Sequence, residues 1–230
     1  MATVLNQPVS SISLWEDPLV LLPRRKPQSF SKDQMIYDTH DSAESIFLLV
    51  DGAVKISRFS TGGRETVIDV ESRESFFGLT AVLGEGEGLR GEMAVALEPT
   101  QVMEWKLDEL RTMIARTPEL GAALMRVVAR KLNDADNRIE SFAVDHIPQR
   151  LVKALLRLGD RFGEPKGPGG VLRLMPLTHD LIAKHVGTSR EIITQHMSKL
   201  RRRGLLSYSR AGLEIDPLKL RAELEKSGKG

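Results

Sequence analysis

A chain of 230 residues with 41% hydrophobic side chains and no cysteine admits one large or two small domains. The missing cysteines exclude disulfides, thiol switches and cysteine-bound iron–sulfur or zinc centres. The formal charge of +2 conceals an asymmetry: from Ile147 onward 17 Lys+Arg face 8 Asp+Glu, a net +9, which leaves 16 and 23, a net −7, in the rest.

The elements read in chain order as follows. Leu14 to Arg25, with two prolines, suits a short helix and a loop. Ile46–Val50 is an apolar strand, Asp51-Gly52 a turn, and Ala53–Phe59 alternates. Thr61-Gly62-Gly63 turns again before the alternating Glu65–Val70. Met93–Ala96 and Gln101–Trp105 form further strands around Glu98-Pro99. Many short strands with glycine turns predict a sandwich or small barrel. Between them, Gly86 to Gly91 matches Gly-x-Gly-x-x-Gly inside the run 84–91. A dinucleotide site needs a helix after that motif, whereas Glu92–Leu97 reads as strand, and Glu85 and Glu87 would repel a pyrophosphate. The loop still carries the competing readings: a nucleotide-binding enzyme, or an interaction module that does not bind DNA.

From Leu107 the period becomes helical. Leu107–Leu110 starts a short helix, and Pro118 suits the first turn of a longer one. Met125, Val128, Leu132, Ala135, Ile139 and Phe142 then recur three and four residues apart. This narrow seam, flanked by Arg126, Arg130, Lys131, Asp134, Asp136 and Arg138, predicts a parallel homodimer over 118–144. The alternative is a helix packed on its own barrel. Ile147-Pro148 marks a boundary, Gln149–Phe162 an amphipathic helix, and Gly163–Gly170 a loop or hairpin tip. The expected domains are 14–115, a linking helix 116–145, and 147–230. A basic third part beside an acidic first part suits binding to a polyanion.

Thr178 to Arg203 is the most specific stretch. Leu181, Ile182 and Val186 form one apolar face, Gly187 allows a tight turn, and Ile192, Ile193, Met197 and Leu200 form a second face. Thr188 and Glu191 have capping-box spacing. Arg190, Gln195, Lys199 and Arg201 lie on the other side, as donors for phosphates and base edges. This is a helix-turn-helix, and Leu205–Ser209 and Leu213–Ile215 around Arg210-Ala211-Gly212 add a wing. Double-stranded DNA is the expected partner, with Arg210 at the wing tip. An ordinary helical hairpin with a solvated basic face would look similar.

The order barrel, long helix, winged helix resembles the cyclic-AMP receptor protein and fumarate–nitrate regulator superfamily of bacterial transcription regulators, over residues 14 to 224. The strongest match is Val186-Gly187-Thr188-Ser189-Arg190-Glu191, similar to the family's Gly-x-Ser/Thr-Arg-Glu entry into its recognition helix. Ile46–Phe59 and Phe76-Phe77-Gly78 also resemble the family's barrel. The resemblance implies an α+β fold: a cyclic-nucleotide-binding-like β-barrel (double-stranded β-helix), a dimerisation helix and a winged helix-turn-helix. It implies a homodimer on a two-fold pseudo-palindromic site, working with RNA polymerase and performing no catalysis. It places Arg190 on guanine and Glu191 on cytosine. Gln195 stands where many relatives have arginine, and glutamine suits adenine better. Thr178, Thr188, Ser189, Thr194, Lys199, Arg201, Arg202 and Arg210 complete the expected DNA face.

For the sensor, the resemblance points to Gly78, Leu79, Arg90 and Gly91. Relatives that bind cyclic nucleotides have glutamate where Leu79 stands and a hydroxyl residue where Gly91 stands. Leucine cannot accept a ribose hydrogen bond, so cyclic AMP is not expected in that mode. His40 is a candidate haem ligand resting on one loop histidine. No spacing matches a metal site or a catalytic triad, so no cofactor, metal or catalytic residue is expected.

Overall fold

The computed structural model describes residues 17–83, 88–209 and 212–227. Helix α1 (Pro18–Leu21) precedes eight strands: β1 (Gln28–Phe30), β2 (Met35–Tyr37), β3 (Ser45–Asp51), β4 (Val54–Phe59), β5 (Glu65–Glu71), β6 (Phe76–Phe77), β7 (Met93–Ala96) and β8 (Thr100–Lys106). They form two antiparallel sheets, in orders β1-β8-β3-β6 and β2-β7-β4-β5. The expected barrel is therefore a jelly roll of two facing sheets rather than one closed sheet. Tyr37, Phe47, Leu49, Val54, Ile56, Phe77, Ala94 and Val102 fill the space between them. Strand β3 is buried on both faces, which is why its sequence is a continuous apolar run. Its other face, Ile46 and Leu48, packs with Phe76, Trp105, Leu110 and Leu120 against the helices that follow. Each such large side chain contributes about 1.5–3 kcal/mol on burial.

Those helices are α2 (Leu107–Arg116) and α3 (Pro118–Val144). At 27 residues, α3 spans about 40 Å. Helix α4 (Ile147–Phe162) follows after a break at Asp145-His146. Pro148 thus opens α4 instead of bounding it, because a proline in the first turn lacks only an N–H that would be unsatisfied anyway. Strands β9 (Glu164–Pro165) and β10 (Leu172–Leu174), helices α5 (His179–Val186) and α6 (Arg190–Arg202), strands β11 (Leu206–Ser209) and β12 (Gly212–Ile215), and helix α7 (Pro217–Ser227) complete the described chain. The wing is a four-stranded sheet, β11-β12-β10-β9, and not the isolated hairpin expected. Helix α7 was not anticipated. It packs on α4 through the fully buried Leu220.

The C-terminal core gathers Leu151, Leu155 and Leu158 of α4 with Ile182, Val186, Ile193, Met197, Leu213 and Ile215. Val67 and Val70 of β5 belong to this same cluster, so the C-terminal part is docked on the jelly roll. Polar links fasten the joint. Lys184 Nζ lies 2.8 Å from Glu65 Oε2. Arg161 donates to the Val70 carbonyl at 3.0 Å and pairs with Asp69, and with Asp134 at 3.1 Å. Arg138 donates to the carbonyls of Val67 (3.2 Å) and His185 (3.3 Å).

Candidate nucleic-acid interface and effector cavity

Two capping contacts and one glycine shape the helix pair. The Thr178 hydroxyl accepts from Leu181 N–H at 3.1 Å and starts α5. Gly187, at φ +76°, ends it in the left-handed region that a β-carbon disfavours. Ser189 then caps α6, accepting from Ile192 N–H at 3.4 Å. The expected capping box is corrected accordingly. With Ser189 as cap, Glu191 falls one position short of the N3 site a box requires. The box role for Glu191 is gone. Its carboxylate stays exposed, held below its ordinary range by its own backbone N–H and the Ser189 hydroxyl.

Ile193, Met197 and Leu200 are buried, and this fixes the outward face of α6. Arg190, Glu191, Thr194, Gln195, Arg201 and Arg202 are exposed there, with Thr188 half-buried at the entry. Lys199 lies at the margin, lining a groove with His196 and Arg203 towards α7. Thr194 donates to the Arg190 carbonyl at 2.8 Å, which uses its proton, and sits 3.0 Å from His179 Nδ1. Two residues of this face were missed in the sequence. Tyr208 of the wing meets the His179 ring edge-on at 5.3 Å, and the Arg201 guanidinium covers the Tyr208 ring at 5.1 Å. Burial and then the Arg190 charge hold the His179 pKa below its ordinary value. Arg210 lies outside the described residues, as do residues 84–87 of the 84–91 loop. The strand β7 follows that loop, so the helix demanded by a dinucleotide site is absent from these described residues.

The four expected sensor residues separate. Gly78 and Leu79 line a cavity of about 180 Å³ between the jelly roll, α3, α4 and α5. Arg90 and Gly91 do not line it. Arg90 is buried inside the roll, donating to the Ser45 carbonyl at 2.8 Å, with its guanidinium over the Tyr37 ring at 4.4 Å. Burial lowers its pKa, and the neighbouring Tyr37 and Glu92 oppose that. The residue missed here is Glu92. Buried and lining the cavity, it accepts from the Tyr37 hydroxyl at 3.0 Å, with Thr80 Oγ1 at 3.5 Å. Burial, then Glu92, push the Tyr37 hydroxyl well above its ordinary pKa, so it remains a donor. His40 is an exposed turn residue 3.1 Å from Thr39 Oγ1 and does not line this cavity. Among the described residues no three His, Asp or Glu side chains gather as a metal site, and no helix is long and apolar enough to cross a membrane.

Residues 27–117 match the cyclic nucleotide-binding domain family, and residues 149–223 match the Crp-like helix-turn-helix domain family. The chain belongs to the cyclic-AMP receptor protein and fumarate–nitrate regulator superfamily. It is 30% identical over 188 residues to the CRP-like cAMP-activated global transcriptional regulator of Mycobacterium tuberculosis, covering 80% of this chain and 81% of that one. It is 27% identical to the global nitrogen regulator of a Nostoc species, covering 82% and 84%. The structure of FixK2 from Bradyrhizobium japonicum superposes with a TM-score of 0.74 at 22% identity, over 86% of this chain and 96% of that one. As a member of this superfamily, the chain is a DNA-binding transcription regulator.

Proposed function

We propose that α6 enters the major groove by its N-terminal end and that Arg190, Glu191 and Gln195 touch base edges. One observation carries the reading: the first turn of α6 is exposed and capped while its apolar side is locked into the core. Thr178, Thr188, Ser189, Lys199, Arg201, Arg202 and Arg210 supply contacts around it, chiefly to phosphates. Thr194 acts by positioning His179, since its proton is already used. Two copies joined along α3 present two such helices to a two-fold pseudo-palindromic site. Residues 14–115 form the sensor domain, 116–145 the dimerisation helix and 147–230 the DNA-binding domain. The protein acts in the cytoplasm with RNA polymerase. Its sensor does not use the usual cyclic-AMP mode, because Leu79 offers no acceptor and Arg90 is turned into the roll.

Selection of bound sequences from a random duplex pool tests this reading. Arg190→Ala should cost about 1–3 kcal/mol per half-site and relax one guanine preference. Gln195→Arg should move one position towards guanine. Arg201→Ala should weaken all sequences alike and lower the salt slope by roughly one. An unchanged motif with Arg190→Ala would place α6 the wrong way round.

A further inference from the structure

Both helices of the pair and the wing meet at one imidazole. His179 opens α5, and its Nδ1 lies 3.0 Å from Thr194 Oγ1 on α6. Its ring stands edge-on to Tyr208 of β11 at 5.3 Å, and the Arg201 guanidinium lies over that same tyrosine at 5.1 Å.

Thr194 fixes the tautomer of this ring. Its hydroxyl gives its one proton to the Arg190 carbonyl at 2.8 Å, because a carbonyl can only accept. Towards His179 the hydroxyl oxygen is therefore the acceptor, and Nδ1 carries the hydrogen. The lone pair of the neutral ring then sits on Nε2, and a second proton can enter only there. Among the described residues Nε2 has no hydrogen-bond partner, and no carboxylate lies within ion-pair distance of the ring. The groups around it are cations or already engaged. On α6, Arg190 adds its charge to the burial that keeps the imidazole neutral. On β11 the titratable neighbour is the Tyr208 phenol, with Arg201 beyond it. On α5 itself, Asp180 is paired with Lys184 at 2.8 Å. A phosphate arriving at this face reverses the balance. An opposite charge within about 4–6 Å moves a pKa by roughly 1–3 units towards the charged form.

We propose that His179 takes up a proton when duplex DNA binds and donates it from Nε2 to a backbone phosphate, so that DNA affinity rises as pH falls. The inference rests on the reading that α6 faces the DNA. The proton comes from solvent, and Nδ1 keeps its bond to Thr194 in both charge states. The seat of α6 on α5 is thus the same with and without the added charge. A phosphate contact carries no base information, so affinity changes while the preferred sequence does not. The sign follows from linkage: between the free and bound pKa values the complex holds more protons than the free chain. Affinity therefore falls as pH rises through that interval.

Fluorescence anisotropy with the duplex selected from the random pool tests this on the full chain, between about pH 5 and 8, where histidine changes charge. Binding should be about tenfold or more tighter per half-site at the acid end, since one pKa unit is a factor of ten. The salt slope there should be steeper by roughly one. Calorimetry in two buffers of different ionisation heat should find uptake approaching about one proton per protomer. His179→Asn keeps an N–H for Thr194 and removes the titrating ring. It should bind with the affinity of the parent at the alkaline end and show no acid-side gain. His196→Gln, the control at the other histidine of α6, should keep the gain. Affinity level in pH, a gain that persists in His179→Asn, or binding without proton uptake would overturn the proposal. No binding at any pH would refute the DNA reading as well, whereas binding that is level in pH refutes this inference alone.

Discussion

The ring of Phe142 occupies the space that a side chain at Gly187 would need: a Cβ built on Gly187 falls 2.7 Å from Phe142 Cε1. Gly187 is also at φ +76°. The end of α3 thus touches the turn between α5 and α6, and one residue serves both the turn and the joint. Gly187→Ala should lower stability by about 1–3 kcal/mol, from left-handed strain and overlap together. Phe142→Ala in the same chain should return the overlap part and leave the strain. Urea titrations of the two single variants and the double variant, read as a cycle, separate the terms.

Dimerisation along α3 is the next expectation. Met125, Leu132 and Ile139 are 72%, 61% and 66% exposed, which is far too open for large apolar groups that meet nothing. Val128 and Ala135 continue the stripe. Phe142, at its end, is partly committed to Gly187 and to the Arg150 guanidinium 5.0 Å from its ring. Leu132→Asp would bury a charge at the two-fold axis at a cost of several kcal/mol. Equilibrium sedimentation should then find monomer where the parent chain is dimeric. A monomeric parent would refute the seam.

Acid should loosen the joint between the domains. Burial, with help from the Arg138 charge, holds His185 down to about 3, against an ordinary 6.5. Unfolded, the imidazole takes a proton below 6.5, while folded it resists until about 3. The unfolded state therefore binds more protons across that window, so stability rises with pH from 3 to 6.5 and is level above it. Glu65 adds to the same trend lower down: burial opposes it, but hydrogen bonds from Lys184 and Lys55 hold it at about 2. Glu71 works in the opposite sense, because burial raises its pKa. His185→Leu isolates the imidazole. Its stability should lose up to about 1.4 kcal/mol per pH unit of the acid slope between 3 and 6.5. Chemical denaturation at a series of pH values reads this, and an unchanged slope would count against the buried neutral form.

Cyclic AMP at millimolar concentration should give no saturable heat in calorimetry. Leu79 lacks an acceptor for the ribose, and Arg90 is held inside the roll, where its Nη1 donates to the Ser45 and Gly78 carbonyls. Micromolar binding would mean that Arg90 swings out, away from Tyr37 and Phe47.

Long periodic elements and the doubly buried apolar run of β3 were legible in the sequence, and the shortest strands were not. The exposed α3 stripe and the Gly187 turn follow directly from spacing. β4 and β5 are strands as expected, but their alternation fails where a register shift between Ile56 and Ser57 leaves Ser57 buried and Phe59 exposed. β1, β2 and β6 have two or three residues each, too few to alternate. α7 has little sequence signature, because a single residue, Leu220, is buried deeply. The exposed side of α6 was readable because it is what the buried side leaves over. The domain joint was not: Lys184 and Glu65 stand 119 positions apart, and nothing local ties them. Glu92 escaped notice for a related reason. The Glu92 carboxylate has no local signature, because its partner Tyr37 lies 55 positions away.

Val67 and Val70 sit in one strand of the jelly roll, yet they complete the hydrophobic cluster of the DNA-binding domain. The two halves therefore do not behave as interchangeable cassettes. A chimera that grafts this winged helix onto another sensor must carry matching apolar residues on the acceptor's strand, or the graft will display a sticky face and an orphaned Arg161. Divergence in this lineage is constrained in the same way, since a change on β5 has to be tolerated by α5 and α4 as well as by its own sheet.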